Sequence, residues 1–553
     1  MHRHTLAVLI LLAAALTFRL LFVASNVHDL VDRGPLYDDS FYAFGVARHI
    51  AAGQGSTFDL EHPTNGFQPL WVGTLVPLYW LADGDVPIRL ALVLSSLLDV
   101  ATGWLLYRLL RRRLEFAPAF LGVVLWAFAP AVVRQAVNGL ETALALCCLA
   151  LALHYYLGRF REVPGPRQAA TLGGLLGFAV LARVDAVVFV VALAVDGWRR
   201  RAPWRPWARA LGVLVLVVLP WCLVSLAVVG RLTPESGEAT RFLSIAYAAH
   251  DIPALGPAGA GAVHAPLWAH NLGRSFLLLG TSPGLHVFTR SLERLLDLWG
   301  ASEGLKLAAV VAFLAAAAVG TVLLLRPRGR SLRRDYGFLG VYGVLLVLAY
   351  SCVVFGHIFF SRYYYPIFFV SILLTCEVVD VLLQHLPPRC RRAAAVAVTA
   401  TYLLLLPVMT WNRMRMGDYR FVNVVRWIEN ETPPAARFGI FNSGAIGYFS
   451  SRRVLNLDGK VNPEALAALH RGDLRTYVLA EHIDYVVDHG WILDRFLRPG
   501  EARGGVHFTR VADESVLGVP GWRAYRVTPL PATAAAQRVT PLPATAAGQR
   551  GLP

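Results

Sequence analysis

Two adjacent carboxylates mark the segment that begins Tyr37-Asp38-Asp39. One carboxylate of such a pair can act as a general base while the other orients it, or both can hold a divalent metal cation near a phosphate. Asp38 and Asp39 are therefore candidates for a catalytic or metal-binding role. The structural alternative is that Asp39 caps a helix over Phe41–Ile50 and that Asp38 is solvated.

Charged residues within apolar segments are a second group of candidates, because a charge in a membrane is costly and usually functional. Arg19 lies two-thirds of the way through the first apolar segment, where it can meet an anion in an outer cavity or snorkel to the surface. Arg183 and Asp185 are either an ion pair or part of the floor of a site. Glu141 either contacts a ligand or favours a helix N-terminus. Asp99 has no partner nearby in the sequence.

A third group of candidates lies in the segment His357–Pro366, where Arg362 precedes Tyr363 and Tyr364. The tyrosines are partly typical of the aromatic belt at a membrane surface, but the arginine is well placed to hold a phosphate. The histidines of 230–303 lack the spacing of zinc ligands. The chain has no P-loop, no G-x-G-x-x-G and no G-x-S-x-G motif, so no nucleotide cofactor is expected.

The composition places these residues in a membrane protein. Hydrophobic residues make up 56% of the 553 residues and charged residues only 16%, against about 25% charged residues in soluble domains. This excludes an ordinary soluble enzyme and a disordered protein. The net charge of +16 comes almost wholly from arginine, since Lys306 and Lys460 are the only lysines. The arginines cluster between apolar segments, which indicates membrane topology rather than nucleic-acid binding.

The apolar segments predict an α-helical polytopic membrane protein with about eleven transmembrane helices. Arginine clusters such as Arg111–Arg113 and Arg326–Arg334 should face the cytoplasm. All of these clusters lie on the same side only if 67–82 does not cross the membrane and 169–198 crosses it twice, as two short helices that meet at Arg183–Asp185. The other spans are expected at Thr5–Ser25 and near 86–108, 116–134, 141–158, 208–229, 304–325, 336–356, 366–385 and 393–412.

This topology divides the chain into a transmembrane part, an outer domain and a tail. The transmembrane part is 1–412, with large outside loops at 25–85 and 230–303. Residues 413–528 alternate helical and strand patterns, which predicts a small extracytoplasmic α/β domain. The tail at 529–553 repeats a twelve-residue Pro/Ala/Thr-rich unit twice and is expected to be disordered. The cysteines indicate no disulfide framework.

The order of these features resembles that of the polytopic C-type (GT-C) glycosyltransferases. The sequence looks most like the mycobacterial arabinofuranosyltransferases, and the protein O-mannosyltransferases and lipid A aminoarabinose transferases share the acidic motif. The resemblance covers most of 1–500. At Lys460 this chain departs from its relatives, which usually have an apolar residue there. The motifs that carry the resemblance are Asp38-Asp39, Ala52-Gly53-Gln54-Gly55, Gly139-Leu140-Glu141-Thr142, Leu181-Ala182-Arg183-Val184-Asp185, Ser443–Phe449 and Asn456–Gly459.

The resemblance implies an enzyme that moves a sugar from a polyprenyl-phosphate donor to an acceptor on the outer face of the cell membrane. The acceptor would be a glycan, a lipid or a protein. The family's acidic residue serves as base or metal ligand, a role that falls on Asp38 first and Asp39 second. A divalent cation is therefore the one cofactor to consider.

The other candidates take substrate roles in this hypothesis. The donor phosphate needs arginine at the outer interface, which Arg19, Arg183 and Arg362 would supply. The residues expected to contact substrate are Glu141, Asp185, Tyr363 and Tyr364. The main rival is a membrane transporter or flippase for a lipid-linked glycan. Against it stand the absence of an inverted repeat and the large polar loops on one side.

Overall fold

A computed structural model describes residues 2–251, 264–353, 360–501 and 505–530. Helices dominate the first three quarters of the chain, and a small sheet follows. The helices before the sheet are α1 His2–Val23, α2 Val27–Asp32, α3 Asp38–Ala51, α4 Pro69–Leu81, α5 Val86–Leu110, α6 Phe116–Phe128, α7 Pro130–Ala136, α8 Thr142–Tyr155, α9 Pro166–Ala182, α10 Ala186–Arg199, α11 Trp204–Val229, α12 Glu235–Asp251, α13 His264–Leu278, α14 His286–Leu298, α15 Glu303–Leu325, α16 Gly329–Leu348, α17 Phe360–Tyr363, α18 Tyr365–Gln384 and α19 Pro388–Arg413.

Among the described residues, seven helices are long and apolar enough to cross a membrane, or eight if one bent pair is a single span. The bent pair is α6 and α7, which the sequence predicted as one span near 116–134. The axis turns by 56° between them. Pro130 causes the break, because proline lacks an N–H and holds the residue before it, Ala129, in an extended conformation.

The segment predicted to cross twice does form two short helices. Helix α9 ends and α10 begins around Arg183–Asp185, and α9 packs along α11. Helix α4, at 13 residues, is too short to span, as predicted for 67–82. The protein is therefore a multi-pass membrane protein, while the total of about eleven spans remains a prediction.

Several arginine clusters meet at one end of the helical bundle. Arg113 forms ion pairs with Asp335 at 2.5 Å and with Glu377 at 2.7 Å, and Arg328 also pairs with Glu377. The Arg161 guanidinium donates to the backbone of the same cluster. Helix α9, about 25 Å long, separates this end from Arg183, so the bundle has a basic end and a distinct opposite end.

The opposite end carries the α/β domain that the sequence predicted. Its sheet has the order β2-β1-β3-β5-β4, in which β1 is parallel to β2 and β3, and β5 is antiparallel to β3 and β4. The last two strands were missed by the sequence analysis. The elements are α20 Phe421–Glu431, β1 Arg437–Ile440, α21 Gly444–Phe449, β2 Arg453–Asn456, α22 Pro463–Arg471, α23 Leu474–Ala480, β3 Tyr485–His489, α24 Gly490–Phe496, β4 Val506–Ala512, α25 Glu514–Leu517 and β5 Trp522–Pro529.

This domain, which keeps the name outer domain from its predicted side, packs against residues 25–85, called the first loop below. The two share one continuous hydrophobic core, which contains Phe41 of the loop and Ile446 of the domain. Two glycines allow close backbone approach. A Cβ at Gly444 would lie 2.1 Å from the Asp38 carbonyl oxygen, and one at Gly66 would lie 1.7 Å from the Lys460 carbonyl oxygen. Loop and domain together therefore build the region around the acidic pair.

Two expectations fall partly or wholly outside the described residues. The segment His357–Pro366 is described only from 360 onward, and the tail at 529–553 only to 530. The six cysteines are all free, so the chain has no disulfide.

Candidate active site

Helix α3 begins at the acidic pair itself. Tyr37 is the N-cap residue and makes no side-chain capping bond, while Asp38 and Asp39 lie in the first turn, where the helix dipole favours negative charge. The alternative in which Asp39 caps a helix over Phe41–Ile50 is therefore wrong. Successive residues of a helix point about 100° apart, so the two carboxylates face different surroundings.

Asp38 points toward the outer domain. Its two carboxylate oxygens accept backbone hydrogen bonds from Gly444 at 3.2 Å and Ala445 at 2.7 Å, at the start of α21. Burial raises the pKa of Asp38 to about 7, against the effect of these hydrogen bonds. Asp38 does not line the cavity described below. The sequence-based preference for Asp38 as the catalytic carboxylate is corrected on this ground.

Asp39 faces the interior of a cavity between two cations. One carboxylate oxygen accepts from Arg362 at 2.7 Å and the other from Lys460 at 3.1 Å. Burial alone would raise the pKa of Asp39, but Lys460 and Arg362 outweigh it and hold that pKa well below the usual range. Asp39 is therefore held ionised and, of the acidic pair, is the carboxylate that lines the cavity.

The cavity has a volume of about 330 Å³ and lies where the first loop, the bundle and the outer domain meet. Polar groups from distant parts of the chain converge on it, together with apolar side chains such as Trp71 and Val188. The charged and tyrosine residues of its lining are Asp39, Tyr42, Glu141, Arg183, Asp185, Tyr350, Arg362, Tyr363 and Lys460. Of the nine sequence-predicted site residues, this lining includes Asp39, Glu141, Arg183, Asp185, Arg362 and Tyr363.

Arg183 is fixed at the floor of the cavity. Its guanidinium donates to Glu141 at 2.6 Å and to Asp185 at 2.9 Å. Glu141 makes no side-chain capping bond, so its partner is this arginine rather than a helix end. The Tyr350 hydroxyl also bonds to Asp185. Arg183 and Asp185 are thus both an ion pair and part of the cavity wall.

Tyr363 lies between the two cavity arginines. Its ring centroid is 5.4 Å from the Arg183 guanidinium carbon and 5.2 Å from that of Arg362. The same ring stacks on Tyr350 at 4.2 Å. Contacts of this kind fix the planes of the two guanidinium groups.

The structure does not bring Arg19 to this cavity. The residue is fully buried in the bundle and pairs with Asp99 at 2.6 Å. Its guanidinium also donates to Ala127 at 2.8 Å, a carbonyl left open where α6 breaks before Pro130. The prediction that Arg19 faces the outer cavity is therefore wrong, because Asp99 and the carbonyl groups of the broken helix hold its guanidinium group inside the bundle.

Tyr364 is likewise directed away from the cavity. Its hydroxyl lies 3.0 Å from Ser275 and 3.3 Å from Ser351, within the bundle. It therefore connects α13, the turn that follows α16 and the start of α18 rather than contacting a ligand in the cavity, and its predicted role in substrate binding is corrected.

Three lining residues had no predicted role. Lys460 was noted in the sequence only as a departure from the resemblance, Tyr350 lies inside an apolar segment, and Tyr42 follows the acidic pair by one helical turn. The Tyr42 hydroxyl donates to the Phe441 carbonyl and accepts from Asn456 at 3.1 Å. Of the three, only Tyr42 could have been found from the sequence, because its spacing of one helical turn from the acidic pair places it on the same side of α3.

The acidic pair does not fit a metal ion in this arrangement. Both oxygens of Asp38 accept backbone N–H groups, and both oxygens of Asp39 accept cationic donors. A divalent cation prefers several free oxygen ligands and no neighbouring positive charge. One other group among the described residues could hold a metal, namely His62, Glu464 and Glu481, whose ligand atoms lie within 4.8 Å of one another. This group is not part of the cavity lining.

We compared the chain with known protein families, curated sequences and solved structures. A family described as dolichyl-phosphate-mannose-protein mannosyltransferase matches residues 75–223, and a domain of unknown function matches 409–538. No curated protein sequence matches the chain.

Among solved structures, apo ArnT from Cupriavidus metallidurans superposes with a TM-score of 0.54 at 13% identity, over 94% of this chain and 98% of that one. The same protein bound to undecaprenyl phosphate gives a TM-score of 0.50 at 14% identity over the same shares of both chains. The apo oligosaccharyltransferase of Archaeoglobus fulgidus gives 0.56 at 14% identity, over 88% of this chain and 69% of that one.

The fold is that of a polytopic C-type glycosyltransferase. The fold predicted by the resemblance is thus confirmed. The C-type fold found here joins its helical bundle to an outer domain across the cavity that holds Asp39.

Proposed function

We propose that the protein is a membrane glycosyltransferase. It moves a sugar from a polyprenyl-phosphate donor to a hydroxyl group of a cell-envelope glycan, lipid or protein acceptor. The observation that carries the proposal is the cavity in which an ionised carboxylate, Asp39, is bound to Arg362 beside Arg183. These are the groups needed to accept a proton and to hold a phosphate.

The donor's phosphate would bind to the two arginines that flank Tyr363. Arg362 and Arg183 present planar guanidinium groups, which match phosphate oxygens in pairs. The matching mannosyltransferase family and the ArnT structure with undecaprenyl phosphate support a polyprenyl-phosphate donor. The donor's lipid chain would lie in the bilayer between helices.

The transfer step needs one proton acceptor. The acceptor hydroxyl oxygen attacks the anomeric carbon of the sugar, and the bond from that carbon to the phosphate oxygen breaks with its electron pair on the phosphate. The hydroxyl proton passes to an oxygen of Asp39. Arg362 and Arg183 stabilise the charge that develops on the leaving phosphate.

Donor binding would also activate the base. Arg362 now holds Asp39 at 2.7 Å and, with Lys460, keeps its pKa low. A phosphate that takes over the Arg362 guanidinium removes part of that stabilisation, so the pKa of Asp39 rises and the carboxylate becomes a better proton acceptor. Catalytic competence is thus linked to the presence of donor.

The cavity and the outer domain are expected on the extracytoplasmic side of the cell membrane. The support is the separate basic end, where Arg113 and Arg328 collect, because arginine-rich ends face the cytoplasm. The similarity to glycosyltransferase structures favours an enzyme over a transporter or flippase.

The test compares the two neighbouring carboxylates in purified protein. Release of polyprenyl phosphate and transfer of label are measured with radiolabelled mannosyl and arabinosyl polyprenyl phosphates. Asp39→Asn should lower the rate by about 100-fold or more, because an amide takes no proton. Asp38→Asn, whose amide oxygen can still accept a backbone N–H, should keep most of the activity. The assignment is refuted if Asp39→Asn keeps wild-type activity.

A further inference from the structure

Lys460 stands at the centre of the acidic side of the cavity. It follows Asp458 and Gly459, whose φ of +78° turns the chain sharply back. The ammonium nitrogen lies 2.9 Å from a carboxylate oxygen of Asp458 and 3.1 Å from one of Asp39. Two carboxylates from opposite ends of the sequence therefore share one cation supplied by the chain.

The close packing of the first loop fixes the backbone of Lys460. The Gly66 backbone touches the Lys460 carbonyl so closely that a methyl group would not fit. A second oxygen of Asp458 accepts the Lys460 backbone N–H at 2.9 Å. The position of Lys460 is thus set by the docked outer domain, not by a flexible surface chain. Burial would lower the pKa of Lys460, but Asp39 and Asp458 raise it and keep it charged.

The charge at this point equals that of a divalent cation. Lys460 supplies one positive charge to Asp39, and Arg362 supplies a second through the other oxygen of the same carboxylate. A metal ion bound to Asp39 and Asp458 would need oxygen distances of about 2.0–2.6 Å. It would therefore lie where the ammonium group now lies, and the two cations would exclude each other.

We propose, on the basis of the function proposed above, that the Lys460 ammonium group takes the place of a divalent cation between Asp39 and Asp458. Sugar transfer at this cavity then requires Lys460 and requires no metal ion. The lysine holds Asp39 by one oxygen when the donor phosphate takes Arg362 from the other, and so keeps the base directed at the acceptor hydroxyl.

The first experiment measures transfer with and without metal. Wild-type protein treated with EDTA should transfer sugar at the untreated rate, and added Mn²⁺ should not raise it. Lys460→Met should lose about 100-fold in rate, the size of effect found when one preorganised hydrogen-bond donor is removed from an active site. Lys306→Met is the matched control, because Lys306 is the only other lysine and pairs with Asp297 and Glu303, which do not line the cavity. Lys460→Arg should keep part of the activity.

The second experiment reads the cation site without any activity. Mn²⁺ binding is followed by electron paramagnetic resonance in a His62→Gln background, which removes the separate candidate metal group. Lys460→Asn removes the ammonium group from between the two carboxylates and leaves room for a cation there, so it should bind Mn²⁺ at least tenfold more tightly than the protein that keeps Lys460. Adding Asp39→Asn should abolish that gain.

Three results would overturn the inference. The first is EDTA-sensitive wild-type transfer restored by Mn²⁺, and the second is wild-type transfer by Lys460→Met. The third is equal Mn²⁺ binding with and without the Lys460→Asn substitution. Failure of the proposed function is distinguishable, since a chain that releases no polyprenyl phosphate under any condition still gives a result in the Mn²⁺ experiment. The EDTA arm needs no variant and so does not depend on how the variants fold.

Discussion

Two arginine–aspartate pairs in this protein use the same residue types in opposite ways. Arg19 and Asp99 lie 2.6 Å apart in the bundle, and both are fully buried. Arg362 and Asp39 lie 2.7 Å apart at the cavity, partly exposed, with Lys460 as a third partner. We call these the bundle pair and the cavity pair.

The difference lies in what competes for each arginine. In the bundle pair, Arg19 is fully buried and also donates to the Ala127 and Trp126 carbonyl groups at the break in α6, so a ligand has no access to it. In the cavity pair, Arg362 faces a space of about 330 Å³. A charge pair is structural where its partners are fixed backbone groups and functional where a substrate can replace one of them.

The largest expected effect is on the bundle pair. Arg19→Met leaves Asp99 buried without its partner, which costs about 3–5 kcal/mol. We expect a large fall in the thermal unfolding temperature of purified protein in detergent. The double variant Arg19→Met with Asp99→Asn removes the uncompensated charge and should be more stable than the single variant. If Arg19→Met unfolds at the wild-type temperature and instead loses donor binding, the bundle pair has a functional role and the distinction between the two pairs is wrong.

The cavity pair should respond in the reverse way. Arg362→Lys keeps the charge but loses the planar fork, so affinity for polyprenyl phosphate should fall about tenfold to 100-fold with little change in unfolding temperature. Arg415→Lys is a matched control, because Arg415 stacks on Trp411 outside the cavity lining. Unchanged affinity of Arg362→Lys in a lipid-phosphate binding assay would contradict the proposed phosphate site.

The sequence predicted which segments meet around the cavity pair, but it did not predict which of the two neighbouring carboxylates belongs to the pair. The motifs around Asp38-Asp39 and Ser443–Gly459 do meet in space. The choice between the two carboxylates was not predictable, because it depends on which side of α3 the outer domain docks. That docking depends on contacts some 400 residues apart, such as that of Gly444 with Asp38.

The bundle pair shows a second limit of sequence analysis. A lone arginine in an apolar segment gives the same signal whether it meets a ligand or a buried aspartate. The partner Asp99 is on another helix, and the carbonyl groups that Arg19 binds become available only because Pro130 breaks α6. Long-range pairing of this kind has no local pattern, whereas the apolar spans and the α/β alternation do.

A smaller effect is expected when docking of the outer domain is weakened, since docking shapes the cavity pair and not the bundle pair. Gly444→Ala places a methyl group 2.1 Å from the Asp38 carbonyl oxygen, and such overpacking costs about 1–3 kcal/mol. Docking of the outer domain should weaken, with earlier proteolytic release of that domain and slower sugar transfer. Gly343→Ala is the control, since nothing lies within 4 Å of its added carbon. Equal behaviour of both variants would show that docking does not shape the cavity.

The smallest expected effect is the pH dependence of stability that comes from Asp38 and Asp39, the two carboxylates in the first turn of α3. The pKa of Asp38 is raised to about 7, so the folded state binds more protons than the unfolded chain between about pH 4 and pH 7. Stability from this group therefore falls as pH rises through that window. The pKa of Asp39 is lowered, so its contribution falls only at more acidic pH.

The expected result is a decrease of a few degrees in unfolding temperature as pH rises from 5 to 7. Asp38→Asn should remove most of this slope. Asp39→Asn should reduce it less, because burial is the main cause of the raised pKa of Asp38 and the Asp39 charge only adds to it. The opposite pattern in a pH series of thermal unfolding would mean that the environments of the two carboxylates are interchanged.

The central claim is that a donor phosphate displaces Asp39 from Arg362. The most direct measurement is a cryo-electron microscopy structure of the full chain with added undecaprenyl phosphate. The account predicts a phosphate within hydrogen-bond distance of Arg362 and Arg183, with the Arg362–Asp39 contact lengthened beyond its present 2.7 Å and Lys460 still bound to Asp39. A phosphate bound away from both arginines, or an unchanged Arg362–Asp39 contact beside a bound phosphate, would contradict it.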